Sequence, residues 1–143
     1  MKLCDARETL KLLHLVNRTP QSYRQVVVCA PYIREDLFLS EVTPGRKAIV
    51  PTIILTIPDT ASRLAIKSQL ISGPLIIKSS ADLHAKVYLL CGKDRKDSQA
   101  IIGSSNLTQK SISANLEISL RLSGRIRDEQ AIIDALERKL LSL

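Results

Sequence analysis

The sequence predicts one α/β domain with a mixed sheet and helices on both faces. Three observations favour this class: residues with helical spacing open and close the chain, a valine-rich run follows the first helical pattern, and closely spaced strand patterns fill the second half. A chain of 143 residues suits a single domain over residues 1–143 and is long enough to bury a substantial core.

The first half of the chain alternates between helical and strand patterns. An amphipathic helix is expected over Ala6–Asn17, and a buried strand over Arg24–Ala30 follows it. A short helix over Glu35–Val42 precedes a second apolar strand over Ala48–Ile57. Because Pro51 lies inside that run and has no N–H for a sheet ladder, an edge position or a bulge is expected there.

A further helix, capped by Asp59 or Thr60, is expected to run to about Ile71, before Gly73 and Pro74 end it. Shorter spacings then predict four strands in quick succession. Their expected ranges are Leu75–Lys78, Leu83–Leu90, Gln99–Ile102 and Leu116–Leu122.

Two segments complete the expected fold. Cys91–Ser98 is polar and charged, which is typical of a hairpin loop between the second and third of these strands. A last amphipathic helix begins at Asp128. Its expected inner face consists of Ile132, Ile133, Leu136 and Leu140.

The composition indicates a basic protein of the reducing cytosol. Lysine and arginine total 21 against 14 acidic residues, and the net charge of +7 favours an anionic partner such as nucleic acid or a membrane surface. Cys4, Cys29 and Cys91 form no CxxC pair and have no histidine cluster nearby, so neither a disulfide framework nor a zinc site is expected. No apolar run approaches the ~20 residues that span a bilayer, and no signal peptide is recognisable. We therefore expect a cytoplasmic protein without membrane contact.

A cationic pair stands in an apolar strand pattern. His84 and Lys86 are two positions apart, so a strand would project both side chains from one face while Ala85 and Val87 pack into the core. A buried charge requires a partner. The pair therefore predicts a site for an anion or a carboxylate.

Neutral donors and a carboxylate follow downstream. Gly103 ends a strand and permits close approach to a ligand, while Ser104 and Asn106 add hydrogen-bond donors that suit a phosphate. Glu117, between apolar neighbours on a later strand, requires a partner such as the His84 imidazole.

Together these positions resemble the His-x-Lys and Gly-Ser-x-Asn signature of the phospholipase D superfamily. The small bacterial nucleases and metal-independent restriction endonucleases of that superfamily also place a glutamate on the strand after the asparagine. The matching residues are His84, Lys86, Gly103, Ser104, Asn106 and Glu117. The resemblance covers roughly Ala81–Leu122 and implies a phospholipase D-like α-β-α sandwich with a mixed, mostly parallel sheet.

The resemblance implies a metal-independent phosphodiesterase that needs no cofactor. Its catalytic residues would be His84, Lys86, Asn106 and Glu117, and its phosphate ligands Lys86, Ser104 and Asn106. One His84 would attack phosphorus to give a phosphohistidine, and a second His84 would act as general acid and then general base. Because the chain has one His-x-Lys motif, a homodimer with the active site on its two-fold axis is expected.

One position departs from the superfamily pattern. The aspartate of the motif falls at Cys91, although Asp94 and Asp97 stand nearby in the predicted loop. Since this aspartate is a structural residue in the superfamily, its loss need not abolish the reaction. His14, which has no partner motif, is interpreted as an ordinary packing or surface residue.

Several functions stay open on sequence alone. The first is a nuclease, with DNA as the expected substrate. A non-catalytic nucleic-acid-binding or assembly module and a phospholipid phosphodiesterase are the alternatives, while the clustered carboxylates of a Mg²⁺ nuclease are not evident. The sequence does not separate DNA from RNA or single strands from duplex, nor decide whether the chain is part of a larger restriction or helicase-linked protein.

Overall fold

A seven-stranded mixed sheet forms the centre of the molecule, which is described here by a computed structural model covering residues 1–34, 37, 43, 45, 47–108 and 117–143. The strands are β1 (Lys2–Cys4), β2 (Tyr23–Cys29), β3 (Thr52–Thr56), β4 (Leu75–Ser79), β5 (Val87–Gly92), β6 (Gln99–Gly103) and β7 (Ser119–Ser123). The helices are α1 (Ala6–Arg18), α2 (Pro58–Ser68) and α3 (Arg127–Leu141). The strand order is β1-β7-β6-β5-β2-β3-β4.

The sheet is mixed, which confirms the predicted class, but its parallel pairs are the minority. Only β2–β3 and β3–β4 are parallel, and the other four neighbouring pairs are antiparallel. The expectation of a mostly parallel sheet is therefore wrong in this respect. A parallel pair needs a crossover of a dozen or more residues, whereas residues 93–98 alone connect β5 to β6 and reverse the chain.

Helices cover both faces of the sheet, as predicted. Along β2, Val26 and Val28 pack in the core that contains α1 and α2, while Val27 and Cys29 pack in the core that contains α3. All four side chains are buried because the strand lies inside the sheet between β5 and β3. This double burial explains the run of valines without polar alternation.

The second predicted strand begins later than its apolar pattern suggests. Pro51 precedes β3 instead of interrupting it, and its carbonyl accepts a hydrogen bond from the backbone N–H of Val26 at 2.9 Å. The missing N–H of Pro51 therefore lies outside β3 and removes no hydrogen bond from within that strand. The predicted edge position is wrong, since β3 lies between β2 and β4.

The helices differ from prediction mainly at their ends. Helix α2 begins at Pro58, and neither Asp59 nor Thr60 caps it as predicted. Both residues lie inside the helix, where the Thr60 hydroxyl donates to the carbonyl of Pro31. In α3, Ile132 is 40% exposed, so it does not belong to the predicted inner face. The helix predicted over Glu35–Val42 lies outside the described residues, apart from Leu37.

A short edge strand was not expected from the sequence. The three residues of β1 pair with β7, where Leu3 is opposite Leu120. Such a brief segment has too few residues to show strand periodicity.

Candidate active site

The predicted site residues lie at one edge of the sheet, where β5 begins, β6 ends and β7 begins. Val87 is opposite Ile102 in the ladder, and the N–H of Gly103 donates to the carbonyl of Lys86 at 3.2 Å. The carboxyl ends of the parallel strands β2, β3 and β4 reach the same edge. Ligands of open α/β sheets commonly bind outside the carboxyl ends of such strands.

The His84 and Lys86 segment precedes β5, so the strand predicted from Leu83 begins four residues late. Its partner β2 explains the difference. The β2–β5 ladder ends at the pair Cys29 and Val87. The N–H of Ala30 continues the β2–β3 ladder by donating to Leu55, and the following Pro31 has no N–H to donate to the β5 side.

Within this segment, the two cationic residues differ in environment. The His84 side chain is exposed, and Lys86 is half-buried with its Nζ donating to the carbonyl of His84 at 3.1 Å. Ala85 is exposed, so its predicted core position is wrong, whereas Val87 is buried as predicted. Because β2 does not pair with this segment, its side chains do not keep the strict alternation of a strand.

Ser104 and Glu117 contact each other across β6 and β7. The Ser104 hydroxyl donates to a carboxylate oxygen of Glu117, and the N–H of Ile118 donates to the Ser104 oxygen at 3.1 Å. A serine has one hydroxyl hydrogen, so Ser104 binds a phosphate oxygen only when that hydrogen leaves Glu117. The described contact thus orients Glu117, and the expected pairing of Glu117 with His84 stays a prediction.

Asn106 is held by a residue that the sequence did not single out. The backbone N–H of Tyr32 donates to Oδ1 of Asn106 at 3.3 Å. This bond occupies Oδ1 and leaves the NH₂ group of the same amide as the donor for a ligand. The proximity of these residues depends on tertiary structure, since 74 positions separate them.

Gly103 is required by the neighbouring strand. A Cβ atom at this position would lie only 2.6 Å from Cα of Ser119 on β7. The sequence predicted a close approach of ligand to backbone, whereas the close approach that the structure shows is that of β7. The glycine therefore allows close pairing of β6, which Ser104 follows, with β7, which Glu117 precedes.

Tyr88 supports the loop after β6 from within the core. Its phenol is buried and donates to the carbonyl of Ser105 at 2.8 Å. Burial raises the pKa of Tyr88 strongly, and the nearby Cys29 and Glu117 raise it further. The phenol consequently keeps its proton and its bond to the loop, a role that apolar patterning did not indicate.

Cys91 lies far from His84 along β5. It is five positions after Lys86, which corresponds to about 17 Å in an extended strand. Cys91 is fully buried, and burial, with the nearby Glu137, raises the pKa of its thiol to about 12. A side chain at this position supports the core between β5 and α3.

The two loop aspartates near Cys91 have local roles. Asp94 accepts a hydrogen bond from the N–H of Lys96 at 3.0 Å, and Asp97 pairs with the Arg125 guanidinium at 3.1 Å. Both belong to the β5–β6 connection, at the opposite end of β5 from the candidate site. They therefore do not supply a carboxylate to that site.

A cleft of about 280 Å³ adjoins this edge, at the ends of β3 and β4. It is lined by Leu55, Thr56, Lys78, Ser79, Ser80, Leu83 and Leu143. In the part of the chain that the structure describes, no group of three or more His, Cys, Asp or Glu side chains is arranged to hold a metal ion. Nor does any helix of the described ranges have the length and apolar character needed to cross a bilayer.

Comparison with known structures places this architecture in a defined fold. NucT from Helicobacter pylori aligns with a TM-score of 0.69 and 13% identity, over 99% of this chain and 94% of NucT. Nuc from Salmonella typhimurium, a phospholipase D family member, aligns with a TM-score of 0.60 and 15% identity, over 96% and 91% of the two chains. TrmBL2, an archaeal chromatin protein, aligns with a TM-score of 0.62 and 10% identity over 99% of this chain and 50% of TrmBL2. At these identities the likeness concerns the fold.

This shared fold and a family match to a phospholipase D domain together define a nuclease-like protein of the phospholipase D superfamily. More specifically, residues 62–141, over half of the chain, match the family of the NgoFVII restriction endonuclease N-terminal PLD domain, and the chain belongs to that family. The match includes every predicted site residue. A comparison with curated protein sequences gave no significant match.

Proposed function

We propose that this chain is a metal-independent nuclease that hydrolyses nucleic-acid phosphodiester bonds, with DNA as its substrate. The observation that carries the proposal is the meeting of the two motif segments, through the Gly103 to Lys86 backbone bond, at one sheet edge. Membership of a restriction endonuclease family supports nucleic acid as the substrate, and the net charge of +7 suits a polyanion. We propose further that residues 1–143 form a single catalytic domain.

The proposed reaction has two displacements. In the first, an imidazole nitrogen of one His84 forms a bond to phosphorus, the bond from phosphorus to the leaving oxygen breaks, and a second His84 gives its proton to that oxygen. In the second, the now neutral second imidazole removes a proton from water, the hydroxide forms a bond to phosphorus, and the P–N bond breaks. The attacking His84 is regenerated.

The remaining site residues stabilise charge and orientation in this scheme. The Lys86 ammonium and the NH₂ group of Asn106 bind the non-bridging oxygens, on which negative charge accumulates in the transition state. Glu117 orients the attacking imidazole, and Ser104 holds that carboxylate in place. Ser104 contributes to phosphate binding after its hydrogen shifts from the carboxylate to a phosphate oxygen.

The reaction needs two His84 side chains, and each chain supplies one. We therefore place the active site on the two-fold axis of a homodimer, with the described sheet edge facing its copy. The exposed position of His84 suits this arrangement, because a residue shared between subunits must be reachable from outside its own chain.

Cleavage of end-labelled DNA in excess EDTA tests the proposal. The wild-type chain should cut the DNA in the chelator, and His84→Ala should lose at least a thousandfold in rate, since both nucleophile and acid are removed. His14→Ala, on α1 outside the site, is the matched control and should cut normally. Activity that disappears in EDTA and returns with Mg²⁺ would contradict the mechanism.

A non-catalytic DNA-binding module is the second candidate. Two observations favour it: Cys91 replaces the aspartate of the motif, and the fold is shared with TrmBL2, whose structure shows a mode of DNA binding. Binding and cleavage measured on the same DNA separate the candidates. A module without catalysis would bind DNA equally well with His84→Ala and would cut nothing in either form.

A further inference from the structure

Tyr32 presents its ring to solvent at the edge of the candidate active site. Its exposure is 56%, whereas the other two tyrosines, Tyr23 and Tyr88, are 6% and 1% exposed. A large aromatic side chain left in water forgoes the stabilisation that burial of its ring would give. The position is therefore a candidate for contact with a ligand.

The backbone around Tyr32 is held on two sides. The carbonyl of Pro31 accepts hydrogen bonds from the hydroxyls of Thr56 and Thr60, at 3.0 and 2.9 Å. The N–H of Tyr32 donates to Asn106. Because these partners belong to β3, α2 and the loop after β6, the ring projects from a fixed part of the fold.

The residues that follow extend this anchorage. Ile33 is only 3% exposed and pairs as an isolated bridge with Leu107, and the N–H of Arg34 donates to the carbonyl of Leu107 at 2.9 Å. Tyr32 thus stands between two buried neighbours in the chain, Pro31 and Ile33. The exposure of the ring is consequently a property of the fold.

The anchoring bond also sets what lies next to the ring. Oδ1 of Asn106 is occupied by the Tyr32 N–H, so the amide NH₂ is the group that remains for a phosphate oxygen. Because the same amide contacts the Tyr32 backbone, a nucleotide whose phosphate is bound at the NH₂ group would have its sugar and base close to Tyr32. Tyrosine rings are common stacking partners for unpaired bases in single strands.

From this geometry we propose that Tyr32 is a stacking platform for an unpaired nucleobase beside the phosphate bound at Asn106, and that the substrate of this site is single-stranded. The inference rests on the proposed function and names its substrate class. In a duplex the bases are stacked within the helix, and exposing one requires that it be unstacked and unpaired. A single strand offers its bases to the ring without that cost.

Binding by a cleavage-inactive His84→Ala chain tests the platform. The probes are a fluorescein-labelled oligothymidine and an oligonucleotide of the same length and phosphate number with abasic sites. Adding Tyr32→Leu, which keeps apolar bulk but removes the ring, should weaken oligothymidine binding about tenfold. Binding of the abasic strand should not change, and Tyr32→Phe should bind like tyrosine. Ile66→Ala, at an exposed apolar residue on α2, is the matched surface control.

A second measurement needs no variant at position 32. The His84→Ala chain should bind oligothymidine more tightly than both the abasic strand and the matching duplex at the same salt concentration. Equal affinity for the oligothymidine, the abasic strand and the duplex would overturn the platform. So would an equal loss of affinity for the oligothymidine and the abasic strand on Tyr32→Leu. Conversion of dimer to monomer by Tyr32→Leu in sedimentation would assign the ring to an interface between copies and would also overturn it. Single-strand binding that depends on the ring, with no cleavage by the wild-type chain, would instead refute the proposed nuclease activity alone.

Discussion

At the scale of single residues, Cys91, the position where the resemblance would place the aspartate of the motif, lies beside an ion pair. The Arg24 guanidinium forms a two-bond ion pair with the Glu137 carboxylate, at 2.6 and 2.7 Å, and both charges lie close enough to Cys91 to affect its pKa. The carboxylate nearest to Cys91 in this pair is that of Glu137, on α3. A second carboxylate at position 91 would face Glu137 inside the core.

Restoring the aspartate should therefore destabilise the protein. We expect Cys91→Asp to lower the free energy of unfolding by at least about 3 kcal/mol at pH 7, because a buried carboxylate is added beside an existing one. Burial should raise the folded-state pKa of the new carboxyl. The loss of unfolding free energy should therefore be small below about pH 4, where the carboxyl is protonated in both states, and grow as the pH rises. Urea denaturation across this pH range measures both effects, with Cys91→Ser as the uncharged control.

A double-mutant cycle gives this prediction a sharper test. Adding Glu137→Gln to Cys91→Asp should recover about 1–2 kcal/mol, since Arg24 is then able to pair with the new carboxylate. In the wild-type background, Glu137→Gln should instead destabilise the fold. Additive effects of the two substitutions would show that position 91 and Glu137 do not share Arg24.

At the scale of elements, the junction of β6 with β7 aligns the segment just after β6, which carries Ser104, with the segment just before β7, which carries Glu117. Gly103→Ala should force these strands apart, because the new Cβ would lie 2.6 Å from Cα of Ser119. We expect a loss of about 1–3 kcal/mol in the free energy of unfolding and a larger relative loss of nuclease activity. Thermal unfolding and the cleavage rate of the same preparation measure the two effects.

A second glycine separates crowding from backbone strain. Gly45 has a φ of +67°, but no atom of the described residues lies within 4 Å of a Cβ at that position. Gly45→Ala should cost only the strain of a left-handed residue, about 1 kcal/mol, and leave cleavage unchanged. If Gly103→Ala has an effect as mild as Gly45→Ala, the close strand approach does not set the site geometry.

At the scale of the whole molecule, the proposed active site belongs to two chains. Refolding equal amounts of wild-type and His84→Ala chains gives random pairing, and a dimer with one mutant subunit lacks either the nucleophile or the acid. Activity should then fall to roughly a quarter of that of the same total amount of wild-type chain. A cleavage titration after refolding, with sedimentation to verify pairing, makes the measurement. A linear decline with mutant fraction would mean that each chain works alone.

The sequence by itself determined the fold class, the two apolar layers and the motif positions. These features leave local signals: buried strands are continuous apolar runs, α1 and α3 carry apolar residues at helical spacing, and His84, Lys86, Ser104, Asn106 and Glu117 keep recognisable spacings. The predicted roles of those site residues stay predictions. The start of β5 was misjudged because a strand continues only as far as its partner offers backbone groups, and Pro31, shortly after the end of β2, has no N–H to donate.

Only the tertiary structure decided which distant groups meet. The bond from Tyr32 to Asn106, the pair of Arg24 with Glu137 and the antiparallel majority of the sheet all join residues or strands without a shared local pattern. Side-chain periodicity reports the buried faces of a strand, but it carries no information on the direction of the neighbouring strand or on the loop that approaches its end. Those contacts depend on how the whole sheet is ordered.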